Sequence, residues 1–322
     1  MSVRVSMYCL AAIFIVGLTG CVSKTPSPAA ALPTVEPPGS GITVSTPEPV
    51  QTPTETESTG SWKVAFGSNA AIQYSVYVAG FENETHGVAV GYNGEVHYTL
   101  DSGKTWPRAE NDSKCLFGLD IVSDQTVWAT GHFGKVRVSK DGGKTWQAVT
   151  DTDINISFLI SFIDETTGWV GDEMKLEATQ DGGQSWTVLQ KPGDAEATMA
   201  INLRTATEGY LLDSNSSLFA TRDGGNSWTL LSKLPEADEK MFVASGLPYA
   251  AIRFFDASNG LVVFALDDSE GQLLALRTAD GGKTWSQEIL PVRSGVLFLT
   301  HDGRFLTVLG KDLSITLLKA KS

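Results

Sequence analysis

The chain has 322 residues, enough for one large β domain or two ordinary ones, and its hydrophobic share of 42% is that of an ordinary globular protein. With 37 acidic against 24 basic residues, its formal net charge is −13 at pH 7. That balance argues against nucleic acid and bare anionic lipid as partners, because both demand a basic footprint.

Residues 1–20 read as a targeting segment. Arg4 is a thin positive start, and the apolar stretch from Tyr8 to Gly20 is too short for a spanning helix. It ends Leu18-Thr19-Gly20-Cys21, which resembles the lipobox of bacterial lipoproteins and implies acylation of Cys21; the plainer reading is a secretory signal cleaved near Gly20. Cleavage removes Cys9, and a lipidated Cys21 leaves Cys115 expected as a buried structural thiol with no internal disulfide. Residues 21–60 then form an acylated Cys and a linker rich in Pro, Thr and Ser. The stretch 22–60 holds eight of the thirteen prolines and no aromatic residue, so it cannot bury enough surface to fold. As an extended tether it reaches up to roughly 120 Å at about 3.1 Å per residue.

Residues 61–322 carry a repeat. The phrase Asp101-Ser-Gly-Lys-Thr-Trp106 returns at Asp141–Trp146, Asp181–Trp186, Asp223–Trp228 and Asp280–Trp285, with Trp-to-Trp spacings of 40, 40, 42 and 57 residues. Thr99, Ser139, Thr179, Thr221 and Thr278 stand two places before each Asp. The spacing matches one four-stranded propeller blade per repeat. Short alternating segments flank each phrase, so it reads as the turn between the third and fourth strands. Asp bonds nearby backbone N–H groups, Gly supplies positive φ and Trp anchors the next strand. Gly-Lys-Thr at 143–145 and 282–284 is not a P-loop end, because Val138 and Arg277 hold the places where that loop needs Gly. One Asp per turn is likewise too few oxygen ligands for an EF-hand.

Blades are expected at 70–109, 114–150, 155–190, 197–232 and 249–290. About thirty residues remain, enough for three strands at 295–300, 304–309 and 313–319. The fourth is supplied by 61–66, whose Ser61-Trp62 resembles the strands that follow each box. The fold is therefore all-β: six four-stranded antiparallel blades, with the N-terminal strand closing the last blade and leaving no open seam. The alternative is seven blades.

These phrases resemble the Asp-box (BNR) repeat, and the resemblance implies a structural turn on the propeller rim rather than a ligand site. The run of aromatic-rich first strands, Gly-flanked second strands such as Gly168-Trp169-Val170-Gly171, and boxes is similar to the Ycf48/Hcf136-like photosystem II assembly-factor family. That similarity implies an exported, protein-binding propeller, although members of the family are commonly seven-bladed.

Alternating strand direction puts the boxes and the first-to-second turns on one face. The second-to-third loops and the blade-to-blade crossovers lie on the other, and they carry about twice as many carboxylates as cations. Candidate ligand-binding residues there are Tyr92, His132, Phe133, Asp172, Glu173, Asp213, Asp267 and Asp268. A basic or cationic protein or glycan is the expected partner, the membrane is met only through the lipid, and the protein is expected to be a monomer outside the cytoplasm. No metal or cofactor is expected, since His86, His97, His132 and His301 stand singly. The competing enzymatic reading is a sialidase or other glycosidase. Arg204 and Arg253 fall on first strands, but a third convergent arginine and a Phe-Arg-Ile-Pro start are missing. Acid pairs such as Asp172 or Glu173 with Asp267 or Asp268 would need a defined separation across a sugar.

Overall fold

A computed structural model describes residues 61–69, 76–110, 114–235, 249–266 and 271–321. The expected signal segment, Cys21, the linker, the insertion at 236–248, Asp267 and Asp268 lie outside these residues.

Six four-stranded antiparallel sheets form, as the five boxes and the leftover strands together require. The first blade is β2 (Val76–Phe81), β3 (Gly87–Gly91), β4 (Val96–Thr99) and β5 (Arg108–Glu110); the second is β6 (Leu116–Ile121), β7 (Val127–Gly131), β8 (Val136–Ser139) and β9 (Gln147–Ala148). The third is β10 (Leu159–Phe162), β11 (Gly168–Gly171), β12 (Leu176–Thr179) and β13 (Thr187–Leu189); the fourth is β14 (Thr198–Leu203), β15 (Gly209–Asp213), β16 (Ser217–Thr221) and β17 (Thr229–Lys233). The fifth is β18 (Ala250–Phe254), β19 (Gly260–Ala265), β20 (Gln272–Thr278) and β21 (Ser286–Arg293). In the sixth, β22 (Val296–Leu299), β23 (Phe305–Leu309) and β24 (Ser314–Ala320) are completed by β1 (Trp62–Asn69). Trp62 pairs with Ala320 and Lys63 with Lys319, and the Lys321 N–H donates to the Ser61 carbonyl at 2.8 Å.

Each Asp box is stitched by its own side chains. In the second blade the Ser139 hydroxyl donates to Asp141 Oδ1 at 2.8 Å and accepts the Gly143 N–H, also at 2.8 Å. Asp141 in turn accepts the Thr145 N–H at 2.8 Å and the Thr145 hydroxyl at 2.6 Å. Gly142 and Gly143 sit at φ 75° and 90°, where a Cβ would be strained. Equivalent bonds hold Asp101, Asp181, Asp223 and Asp280. In these four, hydrogen bonds from the Thr or Ser four residues on hold the carboxyl at about 2. The box tryptophans Trp106, Trp146 and Trp285 donate Nε1–H to the carbonyls of Gly103, Gly143 and Gly282 in their own turns, whereas Trp186 and Trp228 donate to Thr150 and Gln190 of the preceding blade.

A second recurring turn was not legible as a repeat. The first-to-second turns are capped by Asn83, Ser123, Asp164, Thr205, Asp256 and Asp302, each accepting a backbone N–H two or three residues on. The cap appears in all six blades, including the sixth, which has no box.

The innermost strands of neighbouring blades pack on one another around the ring, β22 against β2 included. Polar side chains latch them. Asp120 Oδ2 accepts the Phe162 N–H at 2.7 Å, Ser161 Oγ accepts that of Leu203 at 2.9 Å, and Asn202 Oδ1 that of Phe254 at 2.8 Å. At the seam Thr307 Oγ1 accepts the Phe81 N–H at 3.0 Å. Between blades, Trp128 stacks on Phe162 with ring centroids 3.9 Å apart and Tyr210 on Phe254 at 3.7 Å. Cys115 is buried, as expected.

Candidate functional site

The topology opens the ring at two mouths, and each carries a distinct group of side chains. At the mouth opposite the boxes, innermost strands begin and second-to-third loops turn back. There Tyr77 stacks on Phe117 at 5.1 Å, Phe117 meets His132 edge-on at 4.8 Å, and His132 lies 5.5 Å from Phe133. Lys114 Nζ stands 4.1 Å over the Phe133 ring. The row ends in solvent: Phe133 is 55% exposed, and Met174, on the same kind of loop in the next blade, is 72% exposed. Phe133 adopts φ 59°, so a left-handed backbone turns its ring outward.

Among the sequence candidates, then, only Phe133 presents a fully open ring. Tyr92 lies half-buried in a single 3-10 turn, and His132 is buried, its imidazole pushed down by burial and by Lys114. Tyr77 and Phe117 were not legible, because at the start of a first strand an aromatic reads as core. The candidate carboxylates also differ from an open acidic rim. Asp172 accepts the N–H groups of Met174 and Lys175, both at 2.7 Å, which shapes the loop that exposes Met174. Asp213 is fully buried and accepts the N–H groups of Asn215, Ser217 and Glu196. Asp213 therefore holds a loop and a crossover together and offers nothing to a ligand. Glu173 is half-buried, and its carbonyl accepts the Thr198 N–H and Lys191 Nζ. The open carboxylates of this sector are Asp151, Asp153, Asp194 and Glu196, with Lys175 pairing Asp153 at 3.3 Å.

The box-side mouth holds a cluster that spans the axis. Asp120 of the second blade receives His301 Nε2 of the sixth at 2.9 Å, and Arg253 Nη2 of the fifth lies 3.6 Å away. Burial pushes the Asp120 carboxyl up, but His301, Arg253 and the Phe162 N–H outweigh it and hold the group below its ordinary value. Beside it, burial and then Asp302 push Glu82 up to about 7 against the pull of Arg304. Arg204 stands just past the end of β14, in a turn, and pairs with Glu208. Arg204 and Arg253 thus each have a carboxylate of their own, and they do not converge on the open face as a sialidase arrangement would require. Among the described residues no group of three or more His, Cys, Asp or Glu side chains is disposed to hold a metal.

The profile described as Photosynthesis system II assembly factor YCF48 matches residues 150–243, and the BNR/Asp-box repeat matches 137–148. No curated protein matches the chain. Of solved structures, the WD40 repeats of RRP9 align with a TM-score of 0.56 at 9% identity, covering 84% of this chain and 99% of that one. YCF48 bound to a D1 peptide aligns with a TM-score of 0.48 at 15% identity, covering 82% and 96%. YCF48 from Cyanidioschyzon merolae gives 0.49 at 17% identity, covering 81% and 98%. At these identities a structural likeness speaks for the fold alone, and 1163 solved chains share it, so the fold selects no function. Taken with the profile matches and the blade count, the chain is a six-bladed propeller of Asp-box repeats, similar to the YCF48 photosystem II assembly-factor family.

Proposed function

We propose that the protein is a lipid-anchored extracytoplasmic module that binds a protein partner through the face opposite the Asp boxes and performs no chemistry there. The observation that carries this is the exposure of Phe133 and Met174 on adjacent loops, continuous with the rings of Tyr77 and Phe117. Large apolar side chains exposed on neighbouring loops, beside a row of rings, mark an interaction surface. The profile match to an assembly factor over 150–243, which includes the Met174 loop, supports the same reading.

The open carboxylates Asp151, Asp153, Asp194 and Glu196 surround the Met174 side of the patch, and they favour a partner that presents Lys or Arg around an apolar anchor. Binding is then expected to weaken with salt, since exposed charges are screened beyond about 8–10 Å at physiological ionic strength. A photo-crosslinking residue placed at position 174 should capture one protein from native membranes. The adduct should disappear with Phe133→Ser and fade when Asp153, Asp194 and Glu196 are changed to Lys. A crosslinker at Val188, equally exposed on the outer strand of the third blade, should capture none of it. Capture of the same protein from position 188, or indifference to Phe133→Ser, removes this face from consideration; a glycan in the adduct would favour the carbohydrate-binding alternative.

The anchor is a separate proposal that rests on Leu18-Thr19-Gly20-Cys21 and the proline-rich stretch behind it. Cys21→Ala is expected to yield released protein or unprocessed precursor in membrane fractionation. A processed Cys21→Ala form that stays in the membrane would refute lipidation.

A further inference from the structure

We propose that the axial cavity of the ring is a binding site for a small carboxylate of formate or acetate size, seated on Arg253. The cavity measures about 60 Å³ and lies among the innermost strands, with Leu119, Leu159, Ile201 and Leu297 in its walls and Arg253 and Asp120 at its box end. Arg253 is 8% exposed. Its Nη2 donates to the Leu299 carbonyl at 3.3 Å and lies 3.6 Å from Asp120, while Nε and Nη1 meet no acceptor among the described residues. A buried donor without an acceptor is costly, and one on a charged group more so. Asp120 balances the charge through Nη2 but leaves Nε and Nη1 without an oxygen, since its Oδ2 accepts the Phe162 N–H and its Oδ1 faces His301 and Nη2. Two donors of the guanidinium thus remain open toward apolar walls, where an oxygen acceptor is worth most.

The dimensions and the chemistry narrow the ligand together. A cavity needs about 10–15 Å³ of such space to hold one water, so 60 Å³ holds about four to six, the room of a small ligand. A planar carboxylate suits the flat guanidinium donor set, and a methyl stub would meet the leucine and isoleucine walls. Ordinary water is the competing occupant, and the experiment is built to separate the two.

Thermal unfolding of the full chain should be followed against sodium formate and sodium acetate at constant ionic strength, with acetamide and sodium chloride as controls. Acetate should raise the transition temperature saturably, and acetamide should not. Ala251 lies two residues before Arg253 on the same face of β18 and lines the same cavity, so Ala251→Leu fills the space without touching the ion cluster. It should weaken acetate binding at least tenfold, as should Arg253→Lys, which keeps the charge but loses the guanidinium donors. Should Arg253→Lys not fold, Ala251→Leu decides alone. A response that acetamide or chloride reproduces, the lack of any saturable response, or undiminished binding in Ala251→Leu overturns the assignment.

Discussion

Asp120→Ala is expected to destabilise the propeller by about 3–5 kcal/mol, the cost of stranding a buried charge by removing its partner. Asp120 is 1% exposed and joins four blades at once: its own, the third through the Phe162 N–H, the fifth through Arg253 and the sixth through His301. Alanine leaves Arg253 buried beside no counter-charge and leaves the Phe162 N–H unsatisfied. Asp120→Asn keeps an acceptor for Phe162 and should cost less, while a double variant with Asp120→Leu and Arg253→Met should recover part of the loss, because neither charge is then stranded. The pH dependence gives a second check. The carboxyl is depressed in the folded protein, so its contribution is present above the ordinary value of 3.8 and fades as pH falls through the depressed one. The acid limb of the stability curve should therefore be shallower in the alanine variant than in the parent. Denaturant unfolding at neutral and acid pH measures both, and a loss below about 1 kcal/mol at neutral pH would mean that the cluster is incidental.

A chain starting at residue 76 is expected to lose the cooperative unfolding transition altogether. It lacks β1, whose eight residues pair with β24 and whose Trp62 is fully buried among Leu261, Leu290 and Leu318. Ser61 further bonds Glu288 of the fifth blade, so the strand ties two blades as well as closing one. Without it β24 becomes a bare edge flanked by exposed core, the condition that favours aggregation. Trp62→Ala alone should cost about 3–5 kcal/mol. A synthetic peptide spanning 61–75 should restore a measurable transition to the truncated chain by adding the missing strand in trans. A truncated chain that melts like the parent would disprove the closure.

Sequence and structure agree where the physics is local. The boxes were legible because their bonds run over two to four residues, as between Ser139, Asp141, Gly143 and Thr145, so composition and spacing contain the whole interaction. The sixth blade was legible by elimination, since three strands had to find a fourth. The axial cluster was not, because Asp120 and His301 are 181 residues apart and nothing in either neighbourhood signals the other. The same limit separated Phe133, exposed by its own loop, from Tyr77 and Phe117, whose role emerges only when two first strands stand side by side. Asp213 failed differently. Its signal is present in Asp213-Ser-Asn215-Ser-Ser217, a polar turn that a carboxylate caps, but in sequence alone a carboxylate on a loop looks the same whether it caps the turn or faces a partner.

The pairing of β1 with β24 also fixes which way the molecule is held. Fourth strands start at the box face and third strands finish there, so Ser61 and Lys321 sit together on that outer rim. Everything attached upstream of residue 61 or downstream of 321 therefore departs from the side away from Phe133 and Met174. A reporter, a resin or a bilayer joined at either end grips the disc from behind and leaves its aromatic side toward open solution. A fusion at either terminus needs no spacer to keep that side clear, whereas an insertion in the 131–135 or 171–175 loops would obstruct it.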